Sequence, residues 1–216
     1  MANYADSKNK LISWTSSHCG TLVWKRKEFV LELSKYIGVD MYGACGNLTC
    51  PRGTYKQCEV IMNQYKFALA LENSCCSEYI TEKFWNAIRF NQVPIVFGAS
   101  KEDFTKIAPP LSFIHMEDFK TMKELIEYIL LVDSNDQLYN SYHVWRSYGN
   151  ITRAKLPDDL VYSCTSQCRI ATCYDDINKP FQDFNPFDDS WYGGCRSCQD
   201  IIKRFVPEKI VETTMI

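Results

Sequence analysis

Apolar positions recur along residues 9–133 with two periods, one extended and one helical. KLISWTSS (10–17) reads as a short β-rich run, and KRKEFVLELSKYI (25–37) sets Phe29, Leu33, Tyr36 and Ile37 on one helical face. VDMYG (39–43) predicts the next strand, followed by a loop that holds Cys45, Cys50, Pro51 and Gly53. YKFALALEN (65–73) is a near-continuous apolar run, the pattern of a strand covered on both faces. A helix over about 80–90 comes next, then the apolar strand VPIVFG (93–98), a short helix near 101–107 and the segment SFIHM (112–116). The last periodic stretch is a helix with Met122, Leu125, Ile126, Ile129 and Leu130 on one face.

Strands alternating with helices at this spacing imply right-handed crossovers and a parallel sheet with helices on both sides. The expected fold class is α/β with a Rossmann-like sheet. Ligands in such sheets bind beyond the carboxyl ends of the strands, where the next helices begin. ENSCCSEYITEK (72–83) occupies such a position, between one apolar strand and a helix carrying Phe84, Trp85, Ala87 and Ile88. A lysine in the first turn opposes the helix dipole by about 0.3–1 kcal/mol unless it serves an anion that also meets the free backbone N–H groups. Lys83 fits that description. The bland alternative is a solvated lysine beside a glutamate, Glu82, that suits the dipole.

The chain has 216 residues, 46% hydrophobic and 23% charged, enough for a real core. Its formal net charge of -2 gives no global reason to bind nucleic acid or an anionic membrane. Eleven cysteines and the sequons at Asn47 and Asn150 favour an oxidising, secretory compartment and make both asparagines glycosylation candidates. The amino-terminal MANYADSKNK has no apolar signal region, and no run of apolar residues is long enough to span a bilayer. Dinucleotide, P-loop and nucleophile-elbow signatures are absent, as are H-E-x-x-H and D-x-D, so no metal site is expected. Of the three histidines, His18 follows a strand and can face the cleft, although a structural role is the commoner case.

YKFALALENSCCSEYITEKFWNAIRFNQVPIVFGAS, followed by APPLSFIHMEDF, resembles the donor-binding domain of the α1,3-fucosyltransferases. The shared signature runs from a Tyr-Lys-Phe strand through Glu-Asn-Ser to Thr-Glu-Lys and Val-Pro-Ile-Val. SWTSSHC and VDMYGACG extend the resemblance over residues 9–146. It implies the C-terminal half of a GT-B glycosyltransferase that moves L-fucose from GDP-fucose to a GlcNAc residue of a glycoprotein or glycolipid glycan, with inversion and no obligatory metal or other cofactor. Arg26, with Phe29 and Leu33 at +3 and +7, matches the family's donor arginine, and Lys25 is the alternative. Tyr65, Asn73, Tyr79, Glu82 and Lys83 match the motif positions that line the donor pocket. By this correspondence Arg26 and Lys83 stabilise the departing diphosphate, and Asn73 and Glu82 face the sugars. The resemblance also implies a Golgi membrane enzyme with a lumenal catalytic domain. The acceptor domain with its carboxylate base, and the membrane anchor, are expected upstream of this chain. A nucleotide-sugar-binding fragment without transferase activity is the alternative.

Residues 147–216 read as a Cys-rich C-terminal extension with Cys164, Cys168, Cys173, Cys195 and Cys198. Their spacings suit either a zinc module, hence a metal-binding adaptor, or disulfides, which the secretory context favours. A C-terminal C-x2-C is familiar in the family as part of a disulfide knot. Cys75 and Cys76 are expected to pair with Cys45, Cys50 or Cys58, or to stay free.

Overall fold

A computed structural model describes residues 2–20, 23–50, 55–151 and 193–206. Five parallel strands form the sheet in the order β2-β1-β3-β5-β6, with β1 at Lys10–Thr15, β2 at Val39–Tyr42, β3 at Tyr65–Leu71, β5 at Val93–Phe97 and β6 at Ile114–His115. The crossovers carry α1 (Arg26–Leu33), α2 (Tyr55–Met62), α3 (Glu82–Arg89) and α4 (Lys101–Ile107), and α5 (Met122–Ser134) and α6 (Asp136–Ser141) follow.

The alternation of side chains along β3 divides the core. Phe67, Leu69 and Leu71 face a cluster with Phe29, Val30 and Leu33 of α1 and Leu125, Ile129 and Val132 of α5. Ala70 faces the other way, toward Phe84 and Ile88 of α3 and Phe104 of α4. Each fully buried aromatic or aliphatic side chain stabilises the fold by about 1.5–3 kcal/mol, so the continuous apolar runs of β3 and β5 supply the middle of both layers.

Several local expectations are corrected. Tyr36 is 64% exposed and donates its hydroxyl to Glu32 Oε1 at 3.2 Å, because α1 ends at Leu33 and the helical face does not continue. Leu130 is 45% exposed, since Leu125, Ile129 and Val132 fill the face of α5 that meets the sheet. The stretch after Cys50 is not only a loop but contains α2. SFIHM yields a strand of two residues, after which Met116–Asp118 turns into a 3-10 helix.

The pairing of Cys75 and Cys76 also departs from expectation, whereas Cys195 and Cys198 form the disulfides expected of the C-terminal C-x2-C. Cys75 and Cys76 form a short strand β4 that pairs antiparallel with β7 (Cys195–Arg196), the register setting Cys76 opposite Cys195. Disulfides join Cys75 to Cys198 and Cys76 to Cys195, while Cys45 pairs with Cys19 and Cys50 with Cys58. Cys195 and Cys198 are therefore not available as zinc ligands, and the described residues contain no cluster of three or more potential metal ligands. Cys164, Cys168 and Cys173 lie outside the described residues. The last described helix, Cys198–Ile202, buries Ile202, Phe205 and Val206 follow it into the α1 side of the core, and Phe205 meets Phe29 edge-on at 6.3 Å. No described helix is long and apolar enough to cross a membrane. Asn47 and Asn150 are both exposed.

Candidate functional site

The chain reverses direction in the sheet between β1 and β3. α1 leaves β1 on one face and α3 leaves β3 on the other, so the carboxyl ends of these neighbours splay apart, the usual place for a ligand in a doubly wound sheet. A crevice of about 380 Å³ opens there. Its mouth is lined by Ser16, His18, Arg26, Asn73, Glu82 and Lys83, contributed by three separate chain segments. The sequence-predicted Arg26, Asn73, Glu82 and Lys83 thus come together.

Arg26 is only 2% exposed, which excludes a solvated Lys-Arg-Lys cluster at 25–27. Its Nη1 donates to Leu71 O at 2.8 Å and Asn73 Oδ1 at 2.7 Å, and its Nη2 donates to Ser16 Oγ at 2.9 Å and His18 O at 3.0 Å. All four terminal N–H bonds are used within the protein. Nε is buried and has no partner among the described residues. Burial lowers the guanidinium pKa, opposed by the charges of Glu72 and Glu82 and the phenol of Tyr79. Arg26 accordingly clamps the ends of β1 and β3 together while placing an unneutralised cation in the crevice wall.

The first turn of α3 is organised by a residue the sequence reading did not single out. Glu72 is 1% exposed and accepts from Thr81 N at 2.8 Å, Thr81 Oγ1 at 2.8 and 2.9 Å, and Lys83 Nζ at 3.0 Å. Thr81 stands at the N-cap of α3 without a side-chain cap bond, and its hydroxyl is donated to Glu72. Lys83 also reaches Thr81 Oγ1 at 2.8 Å and Glu82 Oε1 at 3.3 Å. The signal available in the sequence was a carboxylate directly after five buried positions of β3, a place where a charge must be paired. Gly98 permits the arrangement: at φ +139 it lies so near that a Cβ would meet Glu72 Cβ at 2.6 Å.

Glu82 is the exposed partner of this group, with 68% of its side chain open to solvent. Burial pushes its carboxyl up, and the Lys83 ammonium, the Thr81 hydroxyl and its own backbone N–H outweigh that, holding it below the ordinary value. Tyr79 lies in the loop before α3, near enough to Arg26 to act on it electrostatically. Tyr65 is placed elsewhere. Its ring is buried at the start of β3 with Tyr42, Met62 and Phe90, its hydroxyl bonds Tyr42 and Asp40, and it does not line the crevice.

Residues 5–187 match the family described as Glycosyltransferase family 10 (fucosyltransferase) C-term. The chain is 48% identical over 149 residues to Glycoprotein 3-alpha-L-fucosyltransferase A of Drosophila melanogaster, covering 68% of this chain and 29% of that protein. It is 37% identical over 146 residues to Alpha-(1,3)-fucosyltransferase fut-1 of Caenorhabditis elegans, covering 67% of this chain and 33% of that protein. A solved α1,3-fucosyltransferase with GDP is similar at a TM-score of 0.54 and 26% identity, over 64% of this chain and 39% of the other. The chain thus spans about a third of the length of these relatives. On sequence and fold together, it belongs to glycosyltransferase family 10, the fucosyltransferases, in the C-terminal part of that family's domain.

Proposed function

We propose that the crevice between β1 and β3 binds GDP-fucose, and that the chain is the donor-binding part of an α1,3-fucosyltransferase acting with inversion on GlcNAc residues of glycoprotein or glycolipid glycans. The observation that carries this reading is the meeting of Arg26 and Lys83, from two different β–α units, beside Asn73 and Glu82 at the switch point of the sheet. In the transfer, the acceptor hydroxyl oxygen bonds to C1 of fucose as the C1–O bond to the β-phosphate breaks, and GDP leaves with the electron pair. Positive charge grows on the sugar and negative charge on the diphosphate, so fixed cations stabilise the transition state more than the ground state.

Lys83 is the direct donor in this reading. It exchanges its exposed contact to Glu82 for a phosphate oxygen while Glu72 and Thr81 keep the ammonium in place. The first backbone N–H groups of α3 face the same anion. Arg26 acts chiefly through its charge, and a phosphate oxygen gains a bond to it by displacing Asn73 or Ser16 from the crevice surface. Asn73 and the released Glu82 then face ribose and fucose hydroxyls. Tyr79 stays with the diphosphate group, whereas Tyr65 supports the wall from behind. The proton of the acceptor hydroxyl goes to a carboxylate base that we do not assign to any residue of this chain.

Four disulfides among the described residues and two exposed sequons, Asn47 and Asn150, support a lumenal, glycosylated enzyme, and we place it in the Golgi. Calorimetric titration with GDP-fucose and UDP-galactose, followed by mass-spectrometric analysis of a GlcNAc-containing acceptor incubated with protein and donor, tests the reading. Binding of GDP-fucose in preference to UDP-galactose is expected. Equal or better binding of the UDP-sugar contradicts it.

A further inference from the structure

A second hollow of about 1030 Å³ lies along α3, where Trp85 and Asn86 of that helix meet Arg146, Asn150 and Ile151. Glu82 and Asn86 border both this groove and the crevice between β1 and β3. Trp85 is half-buried. It packs against the cluster of Phe84 and Phe104, meeting Phe84 edge-on at 4.8 Å, and still reaches the groove. Arg146 is equally fixed: Nε donates to His143 Nδ1 at 3.4 Å, Nη2 donates to Ile88 O, and the guanidinium lies over the Trp145 ring at 4.3 Å. Three of its five N–H groups are unspent among the described residues.

Asn150 begins the sequon Asn150-Ile151-Thr152, is exposed, and lines this groove. A glycan joined to its amide nitrogen therefore starts at the groove wall. A pyranose has a face of C–H groups that rests on the negative face of an indole, and a rim of polar groups that accept from fixed N–H donors. Trp85 supplies the first and Arg146 the second. The tether adds to both, because a short link sets an effective concentration of about millimolar, enough for a contact too weak to hold a free sugar. The other sequon stands in Cys45-Gly46-Asn47-Leu48-Thr49, with no aromatic residue beside it. We propose that the innermost GlcNAc of the Asn150 glycan is seated in this groove. Its C–H face lies on Trp85, its acetamido methyl on Ile151, and its acetamido oxygen accepts from Arg146. The protein's own sugar thereby walls the groove beside Glu82. This rests on the lumenal, glycosylated reading above.

The test uses the whole chain, secreted from human cells behind a cleavable signal and grown with a mannosidase inhibitor so that both glycans are uniform. Glycopeptide mass spectrometry follows release of the Asn150 and Asn47 glycans from the folded protein by peptide N-glycosidase. The glycosidase acts on glycan that has left the groove, so the Asn150 rate tracks the open fraction, and Asn47 is the internal standard. Trp85→Leu keeps apolar bulk against Phe84 and removes the flat indole face. It is expected to speed release at Asn150 relative to Asn47 by about two- to tenfold, the worth of one aromatic contact. Should Trp85→Leu fail to fold, Ile151→Ser, which keeps the sequon, is expected to raise the same ratio above that of wild type. A folded variant of either kind that keeps the wild-type ratio overturns the seat and leaves the groove to another ligand. Glycan at Asn47 alone also overturns it, with the glycosylated reading standing. Glycan at neither asparagine overturns both.

Discussion

At the residue scale, Arg26 is first a structural clamp. Its four hydrogen bonds tie Leu71, Asn73, Ser16 and His18, and removing a buried charged donor strands all four acceptors. Arg26→Ala should therefore lower unfolding free energy by about 3 kcal/mol or more, read from the denaturant midpoint. Arg26→Lys should recover little of it, because one ammonium cannot span the acceptors that the planar fork reaches. A near-neutral effect would return Arg26 to the solvated cluster. That Arg26, Asn73, Glu82 and Lys83 gather at one crevice follows their motif positions. Their bonding was not legible, because Glu72 and the carbonyls of Leu71 and His18 are recruited only when β1, β3 and α3 converge. Tyr65 shows the converse, a motif residue whose hydroxyl is spent on Tyr42 and Asp40 in a core.

His143 offers a second test at this scale. It is 3% exposed, stacks on Tyr4 at 4.5 Å and faces the cations of Arg146 and Lys8. Burial first, then Arg146 and Lys8, depress its pKa from 6.5 to about 3. The unfolded chain thus binds a proton that the folded chain refuses, and stability falls as pH drops below 6.5 toward about 3. Between pH 7 and 5 wild type should lose about 1–2 kcal/mol more than His143→Phe. Parallel pH profiles for the two proteins would show that His143 does not carry this share.

At the element scale, α1, α3, α5 and the strands β1, β3 and β5 follow from periodicity because their apolar faces meet one sheet. α2 did not, since Pro51, Gly53 and flanking cysteines read as a loop, whereas the structure has a helix there, tied by the Cys50–Cys58 bond and packed through Met62. The β4–β7 ladder was equally hidden, because it joins segments separated by 119 residues. That ladder holds the loop of Asn73 and Tyr79 to the last described helix, with Arg196 bonded to Glu117 at 2.8 and 3.0 Å and to Gly98 O at 3.2 Å. Non-reducing peptide mapping with partial reduction should recover Cys75–Cys198 and Cys76–Cys195. Cys76→Ser with Cys195→Ser should lower stability by about 2–4 kcal/mol. Recovery of Cys75 or Cys76 linked to Cys45, Cys50 or Cys58 would overturn this connectivity.

At the scale of the whole molecule, the α/β class and the switch-point crevice were legible because crossover handedness leaves few ways to arrange alternating strands and helices. Side-chain cations, rather than a bound ion, carry the leaving-group charge in this account, so GDP binding should survive EDTA, and loss that Mn²⁺ restores would count against it. The central claim is that Lys83 holds the diphosphate. Removing Lys83 alone would strand the buried Glu72 carboxylate and confuse binding with folding. The decisive measurement is therefore calorimetric titration of GDP into Glu72→Gln and into Glu72→Gln with Lys83→Met, where no buried carboxylate is left stranded. The account predicts that the second protein binds GDP about 10- to 100-fold more weakly than the first, the scale of one charge-assisted hydrogen bond. Equal affinity in the two would contradict it.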